Sequence, residues 1–254
     1  MILLLRLLVC LLISLGGLRA ADPAHVVFMI GEDEYRTAET LPEFAEKELK
    51  PRGWRSSIVT ADAADKNSFP NLVAALRDAD LLFISVRRRT PPKDQLDAVR
   101  AHVAAGKPLI GIRTASHAFA LRAKDKMDDP ALAAWQKFDP EVFGGNYTNH
   151  HGNEKFPVIS NAPRADAHAI LRGVAIANLT TRGSLYKVSP LENETPPLLI
   201  GTIAGEAPEP VAWTRILAPK ATRIFYTSLG HPEDFQSRDF RRLLTNAVVW
   251  ALEK

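Results

Sequence analysis

The sequence predicts an α/β fold whose mostly parallel sheet carries helices on both faces. Short apolar runs, the first of them His25–Glu32, alternate with helical patterns through the first half of the chain. Such alternation is typical of right-handed βαβ units, which bury both faces of a parallel sheet. The chain also ends in an amphipathic segment, Asp239–Leu252, whose apolar residues recur at helical spacing.

The first half of the chain supplies the regular part of this prediction. Strands are predicted at His25–Glu32, Trp54–Ala61, Asp80–Val86 and Pro108–Arg113. Helices are predicted between them at Ala38–Lys50, Asn71–Arg77 and Thr90–Ala105. Proline near the first turn of the third helix, and Pro51 to Gly53 after the first, are the start and stop signals expected of helices.

The second half is less regular. A helix is predicted at Ala131–Lys137, followed by a long loop over residues 143–154. Strands are predicted at Phe156–Ser160, Leu185–Val188, Leu198–Ala204, Val211–Arg215 and Arg223–Ser228. Several of the connections are too short for a crossover helix, so antiparallel pairs are expected. Without an internal repeat or a linker, residues 21–254 are predicted to form one domain.

The first twenty residues have the pattern of a signal peptide. Met1–Ala20 has an early Arg6, a Leu-rich core and small residues up to a cleavage position at Ala20. The apolar core is too short to span a bilayer comfortably, so no stable membrane insertion is expected after cleavage. The sequence therefore predicts an exported protein, periplasmic or extracellular. Cys10 is the only cysteine, and its removal excludes disulfides, thiolate metal sites and cysteine nucleophiles.

The charge balance argues against nucleic acid as a partner. Cleavage removes Arg6 and Arg19, so 30 basic residues face 29 acidic ones and the formal net charge falls from +3 to +1. A nearly neutral chain with scattered basic residues lacks the electrostatic footprint of a polyanion binder. The one cluster, Arg87 to Arg89, is interpreted as the solvated end of a strand.

The stretch Pro108–Phe119 (PLIGIRTASHAF) resembles a strand that turns sharply into a helix. Such a turn places small side chains and free N–H groups at the carboxyl edge of the sheet, where ligands bind in open α/β folds. Thr114 holds the position that a nucleophile occupies in a nucleophile elbow. We expect Thr114, Ser116 and the adjacent N–H groups to hold substrate oxygen atoms.

Three polar turns are expected to converge at this edge, each following a predicted strand. They contain Glu32, His117 and His231, respectively. The two histidines are candidates for proton transfer, because imidazole titrates near neutral pH, and Glu32 is a candidate base. A solvated or structural role is the alternative for each of them.

Two further groups of residues extend the candidate site. Tyr147 and Tyr186 offer flat apolar faces of the kind on which sugar rings stack. A divalent metal bound by His150 and His151 is an alternative that the sequence leaves open. Against it, adjacent side chains point in different directions, and no HxH or HExxH spacing is present. No other cofactor is indicated.

Several segments resemble the ThuA-like (trehalose utilisation) family in sequence and order. They are GIRTASHAF, FGGNYTNHHG, DAHAILRGV, SLYKV, PVAWTR and RIFYTSLGHPEDF, with the final NAVVWAL helix. The similarity as a whole covers about His25 to Leu252. The resemblance implies a flavodoxin-like three-layer sandwich, similar to class I glutamine amidotransferases but without their cysteine. It also implies a role in sugar metabolism, often on 3-keto-glycosides, and many members are exported.

The resemblance assigns individual residues as well. His117 matches the family's histidine after the elbow, and His231 matches that of the LGH motif. His168 matches a histidine that usually precedes proline, where this chain has Ala169. The family commonly has an Asp-Glu pair before the tyrosine at 186, where this chain has Gly183-Ser184-Leu185.

The expected function is that of an exported carbohydrate-active protein. Histidine acid–base chemistry, with or without a metal, would act on a glycoside or 3-keto-glycoside. The alternative is a non-catalytic sugar-binding or scaffolding module on the same fold. The expected partner is a small carbohydrate. Assembly into a homo-oligomer is a further alternative that the sequence leaves open.

Overall fold

The computed structural model describes residues 22–253. The predicted signal peptide, Met1–Ala20, lies outside the described residues. Within residues 22–253, no helix combines the length and the apolar character needed to cross a bilayer.

Eight strands form one mixed sheet. Its order is β2-β1-β3-β4-β10-β9-β8-β6, and the first five strands of this order are parallel. Strands β9, β8 and β6 extend the sheet by antiparallel pairing. The strands, including the short pair β5 and β7, are β1 His25–Gly31, β2 Arg55–Thr60, β3 Leu81–Val86, β4 Leu109–Ile112, β5 Asn149–His150, β6 Val158–Asn161, β7 Tyr186–Lys187, β8 Pro197–Thr202, β9 Glu209–Leu217 and β10 Thr222–Thr227.

Helices cover both faces of this sheet. Helices α1 and α4 pack on one face and α2 and α3 on the other. The four helices are α1 Thr37–Phe44, α2 Leu72–Arg77, α3 Lys93–Ala104 and α4 Arg238–Leu252. Three layers with a central, mostly parallel sheet confirm the predicted flavodoxin-like α/β class.

The sequence of β1 shows why the sheet lies between two helical layers. Its side chains alternate between the faces, so Val26 and Phe28 join the core under α1 and α4, whereas Val27 and Met29 join the core under α2 and α3. All four are fully buried. Burying such a side chain contributes roughly 1.5–3 kcal/mol relative to exposure, which favours a strand covered on both sides.

The structure differs from the prediction just after β4. Instead of an α-helix, Arg113–His117 forms a short 3₁₀ turn. The carbonyls of His117 and Ala118 accept hydrogen bonds from Arg88 N and Arg89 N, at 3.1 and 2.7 Å. Because these carbonyls are committed to the segment after β3, the turn does not continue as an α-helix.

The helix predicted at Ala131–Lys137 is also wrong. The backbone of this segment makes its hydrogen bonds to other segments and not within a helix. Ala131 O accepts from Lys93 N, Ala133 N donates to Pro91 O, and Trp135 N donates to Phe119 O. A π-helical turn at Asp139–Phe143 follows instead. Contacts with segments distant in sequence therefore override the local helical pattern.

Antiparallel pairing in the second half of the chain is as predicted. Within the long loop predicted over residues 143–154, however, Asn149–His150 pairs with Tyr186–Lys187 as β5 and β7. His150 lies opposite Tyr186 in this pair. The loop thus closes over the sheet edge at which β1, β3, β4 and β10 end.

Candidate functional site

A pocket of about 320 Å³ lies at the carboxyl edge of the sheet. The segments that follow β1, β3, β4 and β10 contribute Tyr35, Arg87, Arg113 with His117, and His231. The β5–β7 region adds further lining side chains, namely Tyr147, His150, Asn153, Arg182, Ser184 and Tyr186. All three turns expected to converge at this edge therefore contribute to one pocket: the first supplies Tyr35, and the other two bring His117 and His231 together.

His117 is the most enclosed histidine of the pocket. It is 5% exposed, and its ring stacks on Tyr147 with 4.3 Å between the ring centroids. Ser116 Oγ lies 3.1 Å from Nδ1 of His117. This contact fixes the ring orientation and leaves Nε2 as the ring nitrogen for a ligand.

The surroundings of His117 keep its imidazole neutral. Burial lowers its pKa well below 6.5, and the positive charges of Arg88 and Arg87 lower it further. A neutral imidazole at physiological pH can accept a proton from a bound molecule. His117 therefore has the protonation state that a general base requires.

Arg113 forms the floor of the pocket and was missed by sequence reasoning. Its backbone has a left-handed φ of 46°, so Arg113, and not Thr114, occupies the strained position of the elbow. The side chain is 1% exposed, and its guanidinium carbon lies 4.4 and 4.6 Å from the ring centroids of Tyr35 and Tyr186. Arg113 thus joins the β1 loop to the β7 region through cation–π contacts.

Glu32 lies outside the pocket lining and has a structural role. Its Oε2 accepts hydrogen bonds from the N–H groups of Glu34 and Tyr35, both at 2.6 Å. Its Oε1 accepts from Thr37 N at 2.8 Å and Thr37 Oγ1 at 2.6 Å. Because both carboxylate oxygens hold the β1–α1 loop, the predicted role of Glu32 as a base has no geometric support.

Thr114 and Ser116 do not present their hydroxyls to the pocket. Thr114 is fully buried, and its Oγ1 has no hydrogen-bond partner. Ser116 is 2% exposed and contacts His117. The helical turn points these small side chains into the protein, so Ser116 positions His117 and neither residue is placed to hold a substrate oxygen.

The two adjacent histidines do not form a metal site together. His150 lines the pocket, and its Nδ1 lies 2.7 Å from His151 O, to which it donates. His151 is buried elsewhere, with Nδ1 3.5 Å from Glu206 Oε2. Over residues 22–253 no group of three or more His, Cys, Asp or Glu side chains is arranged to hold a metal ion. The donor set for a metal at His150 and His151 is therefore incomplete.

Asp234 organises the loop that carries His231. Its Oδ2 accepts hydrogen bonds from Gly230 N at 2.7 Å, His231 N at 3.0 Å and Thr181 Oγ1 at 3.0 Å. Burial raises the pKa of this carboxyl. Since Thr181 Oγ1 also accepts from Gly183 N at 3.0 Å, Asp234 ties together two segments of the pocket wall.

The strand order and the position of the pocket define a flavodoxin-like α/β protein with its binding site at the carboxyl edge of the sheet. The chain belongs to the ThuA family, described as trehalose utilisation, whose model matches residues 25–251. The resemblance inferred from the sequence motifs is thereby confirmed. The comparison with curated proteins returned no match.

Solved structures show the same fold. A ThuA-like protein from Bacteroides uniformis ATCC 8492 is 16% identical with a TM-score of 0.65, covering 91% of this chain and 93% of that chain. One from Parabacteroides merdae ATCC 43184 is 14% identical with a TM-score of 0.56, covering 91% and 90%. A β-galactosidase from Rahnella sp. R3 is 13% identical with a TM-score of 0.52, covering 91% of this chain and 32% of that chain. At such identities the likeness is one of fold.

Proposed function

We propose that the protein acts on a small sugar, a glycoside or 3-keto-glycoside, with His117 as the proton-accepting group. The observation that carries this proposal is the buried, neutral imidazole of His117, oriented by Ser116 at the pocket wall. Membership of the trehalose-utilisation family supports a carbohydrate as the substrate. The tyrosine rings of the lining supply apolar faces for a sugar ring.

The chemistry follows from an imidazole beside an activated carbon. In a 3-keto-glycoside, the carbonyl at C3 acidifies the hydrogen on C2. Nε2 of His117 takes this proton, the electron pair forms a C1–C2 double bond, and the bond from C1 to the leaving oxygen breaks. His231 donates a proton to that oxygen. This division of roles is supported by the presence of both histidines in the lining of one pocket.

A non-catalytic sugar-binding module is the second candidate. It is favoured by the observation that both acidic side chains of the β1–α1 loop named above already have partners among the described residues. Glu32 binds N–H groups of its own loop, and Glu34 pairs with Arg87 at 2.8 Å. Within residues 22–253, therefore, no free carboxylate lines the pocket to assist the histidines. A binding module shifts its melting temperature with a sugar but does not consume it.

A time course with the purified protein tests the proposal. Methyl β-D-glucoside and its 3-keto derivative are incubated with wild type, His117→Gln and the control His168→Gln, in which a half-buried histidine outside the pocket is changed. We expect turnover of the keto-sugar by wild type and the control, and a loss of about a hundredfold or more in His117→Gln. Melting curves show whether each variant is folded.

Three results would overturn the proposal or part of it. Equal turnover by His117→Gln would remove His117 from the reaction. Turnover abolished by EDTA and restored by a divalent cation would contradict a mechanism carried by the histidines alone. A sugar-dependent melting shift without turnover would establish the binding module instead.

A further inference from the structure

We infer that this pocket selects an anionic sugar, one that bears a carboxylate or a phosphate, over its neutral counterpart. The inference rests on the proposed function, because it names the class of sugar that the same site takes. It is carried by the unpaired positive charge of Arg113 and by the arginines around it.

The charged side chains that line the pocket are mostly positive. In the part of the chain that the structure describes, Arg87, Arg113 and Arg182 contribute cations to the lining, and Glu34 contributes its one carboxylate. Glu34 Oε1 pairs with Arg87 at 2.8 Å. Arg182 lies 3.7 Å from Glu233, and both of these side chains are more than half exposed to solvent, so this pair contributes little stability. The local charge therefore favours a negatively charged ligand.

Arg113 is the cation without a carboxylate partner among the described residues. One terminal nitrogen, Nη1, donates to the carbonyls of Ser184 and Ser228, at 3.2 and 2.5 Å. The other, Nη2, donates to Tyr35 Oη at 3.0 Å. These neutral acceptors satisfy three of the five N–H groups of a guanidinium, and none of them forms an ion pair with it.

The unused donors of Arg113 are suited to an oxyanion. Its buried Nε–H has no hydrogen-bond partner within residues 22–253, and Nη2 retains a second hydrogen that Tyr35 does not take. Nε and Nη2 form one edge of the guanidinium, the edge that binds a carboxylate or phosphate through two parallel hydrogen bonds. A buried cation with free donors is costly until an anion reaches it.

The neighbouring segment allows this arrangement and does not neutralise it. A Cβ atom at Gly183 would lie 2.6 Å from Nη1 of Arg113, so a larger residue there would displace the guanidinium. The following Ser184 is buried and presents its carbonyl to Arg113. Burial raises the pKa of the Asp234 carboxyl and the nearby charge of Arg113 lowers it, but among the described residues the two side chains form no ion pair. Oδ2 of Asp234 binds the N–H groups of Gly230 and His231 instead. The segment that approaches Arg113 thus brings no carboxylate.

The electrostatics at His117 support the same conclusion independently of the hydrogen bonds. The positive charges of Arg88, Arg87, Arg113 and Arg122 all lower the pKa of His117, in addition to the effect of burial. Several cations acting on one side chain mean a positive potential inside the pocket. Binding of an anion would relieve this potential.

Isothermal titration with a matched pair of ligands tests the inference. Methyl β-D-glucuronide and methyl β-D-glucoside differ only in a carboxylate and a hydroxymethyl group, and D-glucose 6-phosphate provides the phosphate. We expect at least one anionic sugar to bind wild type about tenfold or more tightly than the glucoside. Preference for glucuronide alone or for glucose 6-phosphate alone identifies the anionic group.

A second charge placed beside Arg113 provides the matched variants. Ser184→Asp should remove the preference for the anionic sugar, because the new carboxylate would form an ion pair with the guanidinium of Arg113. The neutral Ser184→Asn should keep the ratio of the affinities for the anionic sugar and the glucoside. Using the ratio cancels effects common to both ligands. Arg77→Gln, which removes an exposed charge at the opposite end of the sheet, should leave the preference unchanged.

The failures of the inference and of the proposed function are distinguishable. Equal affinities for glucoside and anionic sugars would overturn the anionic preference and leave the proposed function standing. An unchanged preference in Ser184→Asp would remove Arg113 as its source and also overturn the inference. Absence of binding by all of these sugars, and of turnover of the keto-sugar, would overturn both.

Discussion

Ser116 is the residue through which the candidate site can be probed without touching the ligand. It lies behind His117, 3.1 Å from Nδ1, and is almost completely buried. We expect Ser116→Ala to lower kcat about tenfold, because losing a hydrogen bond of about 1.5 kcal/mol frees the imidazole to rotate. KM should change little, and the acid limb of the pH profile should shift as the environment of His117 changes. An unchanged kcat and pH profile would contradict a positioning role.

The buried carboxyl of Asp139 should make the free energy of unfolding depend on pH. Burial raises its pKa from 3.8 to about 7, so the native state keeps a proton that the unfolded state releases near pH 4. Stability is therefore lost as pH rises through this window, by about 4 kcal/mol at most, and is level above about pH 7.

The variant Asp139→Asn lacks this titration. Its melting temperature should rise relative to wild type between pH 5 and about pH 7 and stay level above that, as measured by thermal unfolding at each pH. His102, whose pKa burial lowers to about 4, contributes the opposite slope in both proteins and cancels in the difference. A difference that is constant with pH would show that Asp139 is ionised throughout.

At this scale the sequence predicts part of the site. His117, His231, Tyr147 and Tyr186 are candidates on residue type and position alone, and the structure places them in one pocket. Arg113 escapes prediction because arginine is rarely buried. Its burial depends on Tyr35, Tyr186 and Gly183, which are distant in sequence. Likewise, the structural role of Glu32 depends on N–H groups that only the folded loop brings within reach.

At the scale of elements, the loop after β10 offers a test of how the pocket wall is held. Asp234 binds this loop and the segment before Gly183 through one carboxylate oxygen. Asp234→Ala leaves buried donors without an acceptor, which we expect to cost about 3 kcal/mol in unfolding free energy and to raise KM.

Asp234→Asn is the matched control for this prediction. It retains one side-chain oxygen as an acceptor, so stability and KM should return most of the way to wild type. Denaturant unfolding and initial-rate measurements check both variants. Equal losses in the two variants would indicate that the charge of Asp234, and not its hydrogen bonds, holds the loop.

The elements that the sequence predicts well are those whose burial is visible in their own residues. Strands such as β1 and β3 consist of fully buried apolar runs, and α4 has a clear apolar stripe. The short turns at Arg113–His117 and Asp139–Phe143, and the β5–β7 pair, depend on hydrogen bonds to other segments. Local pattern alone does not encode these partners.

At the scale of the whole molecule, the sheet determines where the site can be. Its five parallel strands in the order β2-β1-β3-β4-β10 bring four loops to one edge, and that edge holds the pocket. Buried apolar strands alternate with helices from β1 to β4, which is why the fold class is predictable from the sequence. The ligand is not predictable in this way, because the same fold carries many chemistries.

We propose in addition that the protein is exported, to the periplasm or the extracellular space, after removal of Met1–Ala20. Mass spectrometry of the mature protein from its natural source should identify Ala21 as the first residue. A mature protein that retains the apolar segment would contradict cleavage. Its appearance in the cytoplasmic fraction would contradict export.

The most direct test of the account follows the hydrogen on C2 of methyl 3-keto-β-D-glucoside by NMR in D₂O. If His117 takes this proton, wild type should remove the C2–H signal, by exchange or by elimination, faster than buffer alone. His117→Gln should do so at the buffer rate, while its melting curve shows that it is folded. A wild-type rate equal to that of buffer, or a His117→Gln rate equal to that of wild type, would contradict proton transfer by His117.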